Sequence, residues 1–392
     1  MDRQRFLIPA LALLMVWRLA LLPTVELCAD EALAAMYAQR PALWHVEMGP
    51  LTPWLVKWST TWFGNTELGV RALAPVLGFV ASVCLWRLGH GLFNANVASW
   101  AVVILQVIPA FNLAATTMTS SIVGFTALMG LVLSLRIGLH RAHPNHVSWK
   151  LAALCLALAI FADWRNALAY LCVIAALGLP ARRRHHLKRP GFLLISGGFA
   201  VSFGSFLWWN QMHGWPIWDT GEAEPEWAVA PNLLRWIFLL SPIIASLMVW
   251  TLVRSTRWWR SLPGHGMLLA FTVPFAAMDF AYGPAERWPH MGWPLWMALA
   301  ALLLADHSLG SIALPMQKKI LLRTGGFLLA AVFSMGLLRT DFIRSVGLPW
   351  HPLAQTHPRH TWQQWFRIDP AGGMMGSVSY THLRAHETKA NL

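Results

Sequence analysis

The sequence predicts an all-α polytopic membrane protein with about eleven spanning helices, and three observations carry that prediction. Of the 392 residues 56% are hydrophobic and only 12% are charged, whereas soluble domains carry about a quarter charged residues. Apolar runs close to the ~20 residues needed to cross ~30 Å of hydrocarbon recur along almost the whole chain. The lysines and arginines fall in alternate loops. That is how membrane topology distributes charge, so the net charge of +13 does not mark a nucleic-acid surface.

Taken in order, hydropathy places spans near 6–24, 67–88, 96–114, 119–138, 149–163, 166–180, 191–209, 233–253, 265–281, 290–306 and 320–338. The start, MDRQRFLIPALALLMVW, reads as the first span and not as a signal peptide. No small-x-small cleavage site follows it, and the apolar run continues past Arg18 to Leu22. Basic clusters at Arg3 and Arg5, at Arg136, Arg141 and Lys150, at Arg182–Arg184 with Lys188 and Arg189, at Arg254, Arg257 and Arg260, and at Lys318, Lys319 and Arg323 assign their loops to the cytoplasm. The intervening loops are neutral or acidic, most clearly at Asp219, Glu222, Glu224 and Glu226. The N-terminus is therefore expected inside, and the region after the last span outside. Arg18, within the first span, needs a polar partner that the sequence does not identify.

Cys28, Cys84, Cys155 and Cys172 show no C-x-x-C spacing, and three of them fall within spans, so neither a disulfide framework nor a cysteine zinc site is expected. Tryptophans such as Trp62, Trp208, Trp209 and Trp215 stand at span ends, where interfacial anchoring explains them. Loops are mostly short, and no internal repeat is visible.

The segment 26–66, outside between the first two spans, is the exception. DEALAAMYAQR (Asp30–Arg40) has helical patterning, with Asp30 and Glu31 in the first turn where the helix dipole favours negative charge. PLTPWLVKWSTTWF (Pro50–Phe63) opens on proline and carries Trp54, Leu55, Trp58 and Trp62 near helical spacing. Both read as amphipathic juxtamembrane helices on the outer leaflet. A second outer element, Asn210–Asn232, holds the acidic run, which reads as a solvated loop. A third, Gly283–Met291, holds Glu286, Arg287 and His290. Asp163 and Arg165 flank Trp164 in a short outer turn and read as a salt bridge.

Residues 30–78 resemble the opening of glycosyltransferase family 39, the protein-mannosyltransferase-like and lipid A aminoarabinose transferase-like superfamily of GT-C membrane glycosyltransferases. In that superfamily an Asp-Glu pair heads a juxtamembrane helix, and a motif such as H-P-P-L or E-K-P-P follows. A tryptophan-rich helix, a turn like F-G-x-S-E and an arginine in V-R-x-x-P complete the pattern. Here these are Asp30–Glu31, Glu47-Met48-Gly49-Pro50-Leu51, Phe63-Gly64-Asn65-Thr66-Glu67 and Val70-Arg71-Ala72-Leu73-Ala74-Pro75. LWWNQMHGW (Leu207–Trp215), RWPHMGWPLW (Arg287–Trp296) and DPAGGMMG (Asp369–Gly376) are similar to later stretches of the family.

The resemblance implies a sugar transfer from a polyprenyl-phosphate donor to a lipid, glycan or protein acceptor, on the outer face of a bacterial cytoplasmic membrane. Asp30, Glu31 and Glu47 are the implied catalytic carboxylates. Arg71 by motif, and Arg287 and His290 by position, are the implied donor-phosphate ligands. No metal ligand set is indicated, and a divalent ion as cofactor stays open. The implied organisation is a transmembrane glycosyltransferase domain over 1–338, then the start of a truncated extracytoplasmic region over 339–376.

The chain departs from the family at three places. Met48 stands where a His or Lys is usual, Ser121 in MTSS (Met118–Ser121) replaces an aspartate, and Asp163-Trp164-Arg165 replaces S-K-Y. A serine hydrogen-bonds but is no carboxylate. A catalytically lapsed member of the same fold that binds lipid or a partner is the alternative. A transporter is disfavoured by the amphipathic outer loop and the lack of charges or broken helices at mid-membrane depth.

SVSYTHLRAHETKANL (Ser377–Leu392) changes composition abruptly and resembles translated sequencing-adaptor read-through, so it is expected not to be native. Reassembly of the parent contig tests this. The native frame should diverge near Ser377, and an uninterrupted frame through that residue would refute it.

Overall fold

The computed structural model describes residues 7–24, 27–140, 147–216, 242–258, 263–281, 293–309 and 315–338. Arg287, His290, the acidic run 219–226 and everything from 339 onward lie outside the described residues.

Among the described residues the chain is all-helical. In chain order the helices are α1 Leu7–Leu21, α2 Ala29–Gln39, α3 Leu51–Phe63, α4 Glu67–Arg71, α5 Leu73–Leu92, α6 Ala95–Val107, α7 Pro109–Ala114, α8 Ser120–His140 and α9 Val147–Ala162. They continue with α10 Leu168–Gly178, α11 Pro190–Met212, α12 Pro242–Trp258, α13 Pro263–Ala281, α14 Trp293–Leu304 and α15 Met316–Leu338. A π-helical turn, Ala305–Leu309, extends α14. Among the described residues, each expected span overlaps one of these helices or a consecutive pair; residues 233–241 and 290–292 of two expected spans lie outside the described residues. By length and composition alone, 67–92, 120–139 and 190–212 are long and apolar enough to cross a membrane, and the other apolar helices are shorter.

Thr66 caps α4 by accepting the Gly69 N–H at 3.1 Å, and Ala72, itself in helical conformation, carries the chain on into α5. The 96–114 span breaks at Ile108, because Pro109 has no N–H to continue the α6 ladder and instead opens α7 at its first turn. Asn94 caps the other end of α6, accepting the Val97 N–H at 2.9 Å.

The centre of the bundle is α5, α6, α8, α9 and α14 packed on one another, with α11 against α9, α13 against α10 and α14, and α15 against α6 and α7. Its apolar interior includes Leu85, Leu88, Leu105, Phe111, Phe125, Leu128, Leu131 and Leu302. The α2–α3 segment rests on one end of this bundle, touching α4, α8 and α9.

The partner of Arg18 is a neutral polar knot. Arg18 is buried at 3% exposure, and its Nη2 donates to Asn112 Oδ1 at 2.7 Å and Gln106 Oε1 at 3.0 Å, while Nε donates to Ser334 Oγ at 3.3 Å. Gln106 passes the chain on to Ser82 Oγ at 2.8 Å. Asn112 Nδ2 donates to the Gln106 and Ile108 carbonyls at 2.6 and 3.1 Å. The break at Pro109 therefore supplies carbonyls that Asn112 satisfies, and Asn112 turns its oxygen to Arg18. One guanidinium ties α1, α6, α7 and α15 together in a setting where every lost hydrogen bond leaves a polar group in an apolar interior. Arg18→Ala should cost about 2–4 kcal/mol, measured as thermal unfolding in detergent. An unchanged Tm would show that the knot contributes nothing to the bundle.

Candidate functional site

The site is built from the segment 27–66, and three close contacts fix it to the bundle. The first is at the head of α2. Glu31 folds back to accept the Cys28 N–H at 3.0 Å, closing the capping box that opens the helix. The same carboxylate takes Arg71 Nε at 2.8 and 2.9 Å and Nη2 at 2.5 Å, and the Met118 backbone N–H at 2.8 Å. Glu31 and Arg71 are both at 0% exposure. Three chain segments, at 28–31, 71 and 118, thus meet on one carboxylate.

The second contact is Trp44, buried among Phe161 and Phe206, with its indole N–H on Ser205 Oγ at 3.1 Å. The third is Gly49, whose N–H reaches the Ala162 carbonyl at 3.2 Å. A Cβ at position 49 would lie 2.1 Å from the Phe161 carbonyl oxygen, so only glycine admits this approach.

With the segment fixed this way, Asp30 stands half-buried in the first turn of α2, beside Glu31. Glu47 is half-buried and accepts the Tyr37 hydroxyl, and Tyr37 stacks on His45 at 3.8 Å. Burial lowers the His45 pKa from its ordinary value, against the opposing pull of Glu47. Burial, followed by the charges of Glu31 and Asp30, raises the Cys28 thiol well above its ordinary value.

The sequence-derived residues therefore separate. Glu31 and Arg71 come together, but with each other: the guanidinium expected to face a donor phosphate is enclosed and engaged by Glu31. Asp30 and Glu47 are half-buried, unlike that fully enclosed pair. Met48, which stands where the family has a cation, is buried at 5% exposure, and Ser121 is buried at the start of α8. For Asp163 and Arg165, expected as a salt bridge, the structure shows a backbone cap. The Asp163 carboxylate caps a 3-10 turn over Trp164–Ala167 by accepting the Arg165 N–H at 2.8 Å, and the Arg165 guanidinium lies 5.3 Å over the Trp164 ring.

Helix α3 buries a narrow, partly polar face, Thr52, Pro53, Val56 and Ser59, and leaves Trp54, Trp58, Trp62 and Phe63 exposed. Trp54, Trp58 and Trp62 repeat every four residues, which puts them on one side. An exposed indole stripe beside a carboxylate-bearing loop is what an interfacial helix presents to lipid. Tyr37 and His45 were not singled out in the sequence, since neither stands in a matching motif.

Residues 47–209 match the family model described as dolichyl-phosphate-mannose-protein mannosyltransferase. No curated protein sequence matches the chain. Among solved structures it is similar to ArnT from Cupriavidus metallidurans bound to undecaprenyl phosphate, with a TM-score of 0.62 at 14% identity over 96% of this chain and 76% of that one. It is also similar to the archaeal oligosaccharyltransferase AglB from Archaeoglobus fulgidus in complex with an inhibitory peptide and a dolichol-phosphate, with a TM-score of 0.53 at 10% identity over 95% of this chain and 64% of that one. The fold is that of the GT-C membrane glycosyltransferases. Within this GT-C frame the matched stretch runs from Glu47 through α11, and the Asp30–Glu31 head of α2 lies just before it.

Removing either member of the enclosed pair should be severe, because the other is left as an isolated buried charge. Glu31→Ala and Arg71→Ala should each cost about 3–5 kcal/mol, and the double variant should lose clearly less than their sum. Thermal unfolding of the four proteins in detergent checks this, and additive losses would mean that the two side chains are not coupled.

Proposed function

We propose that the protein is a membrane glycosyltransferase that moves a sugar from a polyprenyl-phosphate donor to a lipid, glycan or protein acceptor at the outer face of a bacterial cytoplasmic membrane. The observation that carries this reading is the head of α2, where Glu31 is enclosed by Arg71 while its neighbour Asp30 is only half-buried. The match to a mannosyltransferase family model and the likeness to an undecaprenyl-phosphate-bound ArnT support the donor class.

A lipid-phosphate sugar has its leaving group at the bilayer surface, so its reacting carbon must meet a protein surface at that level. The α2–α3 segment, with its exposed indoles, supports such a location. In the proposed reaction the acceptor hydroxyl attacks the anomeric carbon. Its proton goes to the Asp30 carboxylate, the carbon–oxygen bond to the phosphate breaks, and polyprenyl phosphate leaves. Glu31 and Arg71 act as positioning residues, fixing the first turn of α2 and so the place of Asp30. Glu47, aligned by Tyr37, orients the acceptor. Arg287 and His290 are assigned to the leaving phosphate, where charge develops. The charge pattern of the loops supports a cytoplasmic N-terminus and an extracytoplasmic region after α15.

A lapsed enzyme that only binds lipid is the second reading. The burial of Met48 and Ser121 favours it, since neither can supply the cation or carboxylate of its family position.

Purified protein in nanodiscs, given a panel of undecaprenyl-phosphate-linked hexoses and pentoses together with a lipid, glycan and peptide acceptor mixture extracted from a bacterial envelope, separates the two readings. Wild type should release undecaprenyl phosphate with at least one donor, and Asp30→Asn should slow release by roughly 10²–10⁴-fold with an unchanged Tm. Equal rates would remove Asp30 from the mechanism. Binding of undecaprenyl phosphate without release from any donor would leave the lapsed reading.

A further inference from the structure

At the other end of α5 from Arg71, a second group of polar side chains is assembled from distant parts of the chain. His265, in the first turn of α13, is buried at 1% exposure. Its Nε2 lies 3.3 Å from Asp306 Oδ2, and neither ring nitrogen makes a hydrogen bond among the described residues. The His307 ring lies beside it, with centroids 5.2 Å apart. Ligand atoms from His265, Asp306 and His307 all lie within 4.8 Å of one another. Phe93, just past the end of α5, closes the other side of His265 edge-on at 5.3 Å.

Two features point to a ligand. A buried imidazole without hydrogen bonds is costly to enclose unless something engages its lone pair. The backbone is also altered locally: Asp306 and His307 sit on the π-helical turn Ala305–Leu309, a wider and less favourable winding that recurs at functional sites. Here it brings two successive ligating side chains to face a third that is 41 residues earlier.

From this we infer that His265, Asp306 and His307 form a binding site for a late first-row divalent cation, of which Zn²⁺ is the best match. Two ligands each about 2.0–2.1 Å from a tetrahedral ion stand about 3.3 Å apart, which is the His265–Asp306 separation. A modest rotation of half-buried His307 brings in the third donor, and water completes four-coordination. Two imidazoles and one carboxylate favour zinc over magnesium, which prefers oxygen ligands and near-octahedral geometry. Asp306 is 25% exposed, which gives the ion a route in. The bound ion clamps the start of α13 to the end of α14. α5 has 20 residues, so the clamp stands about 30 Å from the Glu31–Arg71 pair. It is independent of the sugar-transfer reading.

The test uses the untagged full chain in detergent, stripped with chelator and titrated with Zn²⁺ alone. About one equivalent of zinc per chain should be retained by elemental analysis, Tm should rise on addition, and millimolar Mg²⁺ should not compete. Asp306→Asn and His307→Asn change half-buried side chains and so should keep the fold. Each should weaken zinc binding by about 100-fold and abolish the Tm rise, as should His265→Gln. Substoichiometric zinc on wild type, competition by Mg²⁺, or wild-type affinity in the Asp306 and His307 variants would overturn the assignment. A His265–Asp306 ion pair alone would then account for the cluster.

Discussion

The enclosed Glu31–Arg71 pair is the constraint on which the rest of the site depends. A carboxylate and a guanidinium at 0% exposure are tolerated only if their hydrogen-bonding capacity is filled, and here it is filled by three separate stretches of chain. The cap of α2, the end of α4 and the turn before α8 are therefore fixed together. An acidic pair that looks uniform in sequence becomes two different residues. Glu31 is fully enclosed and bound to Arg71, and Asp30, one position earlier, is half-buried.

A similar device operates deeper in the bundle. Arg18 has no carboxylate among its observed hydrogen-bond partners and is met by Asn112, Gln106 and Ser334. The helix break at Pro109 is what turns Asn112 toward it. Packed lipid tails provide little drive for helix–helix association, so polar knots and small-residue contacts have to specify it. Gly89, whose added Cβ would meet Ala98 and Leu302 within 3.1 Å, is an example of the second kind. The Arg18 knot gathers α1, α6, α7 and α15, and the Glu31 knot gathers α2, α4 and the turn before α8.

Much of this was legible in the sequence because membrane crossing imposes a coarse, repetitive signal. The spans, the two helices of the first loop and the tryptophan repeat at 54, 58 and 62 all follow from hydropathy and helical period. What was not legible depends on pairing across long separations. Nothing local in V-R-x-x-P says that Arg71 points inward at Glu31 and not outward at a phosphate. Arg18 finds acceptors 88, 94 and 316 residues away. His265 meets Asp306 and His307 only because a π turn, invisible to hydropathy, rewinds the end of α14. Gly49 was quoted only as a motif position, and its meaning is a backbone approach to Phe161 and Ala162 that no side-chain pattern records.

The central claim is that the first loop presents Asp30 to the acceptor of a lipid-phosphate sugar while Glu31 and Arg71 remain closed on each other. An electron cryo-microscopy structure of the protein in nanodiscs with undecaprenyl phosphate tests it most directly. The phosphate should lie at the level of the α2–α3 segment, separated from the Asp30 carboxylate by the width of a sugar, with the Glu31–Arg71 pair intact. A phosphate seated on the Arg71 guanidinium with Glu31 released, or one bound away from α2, would contradict it.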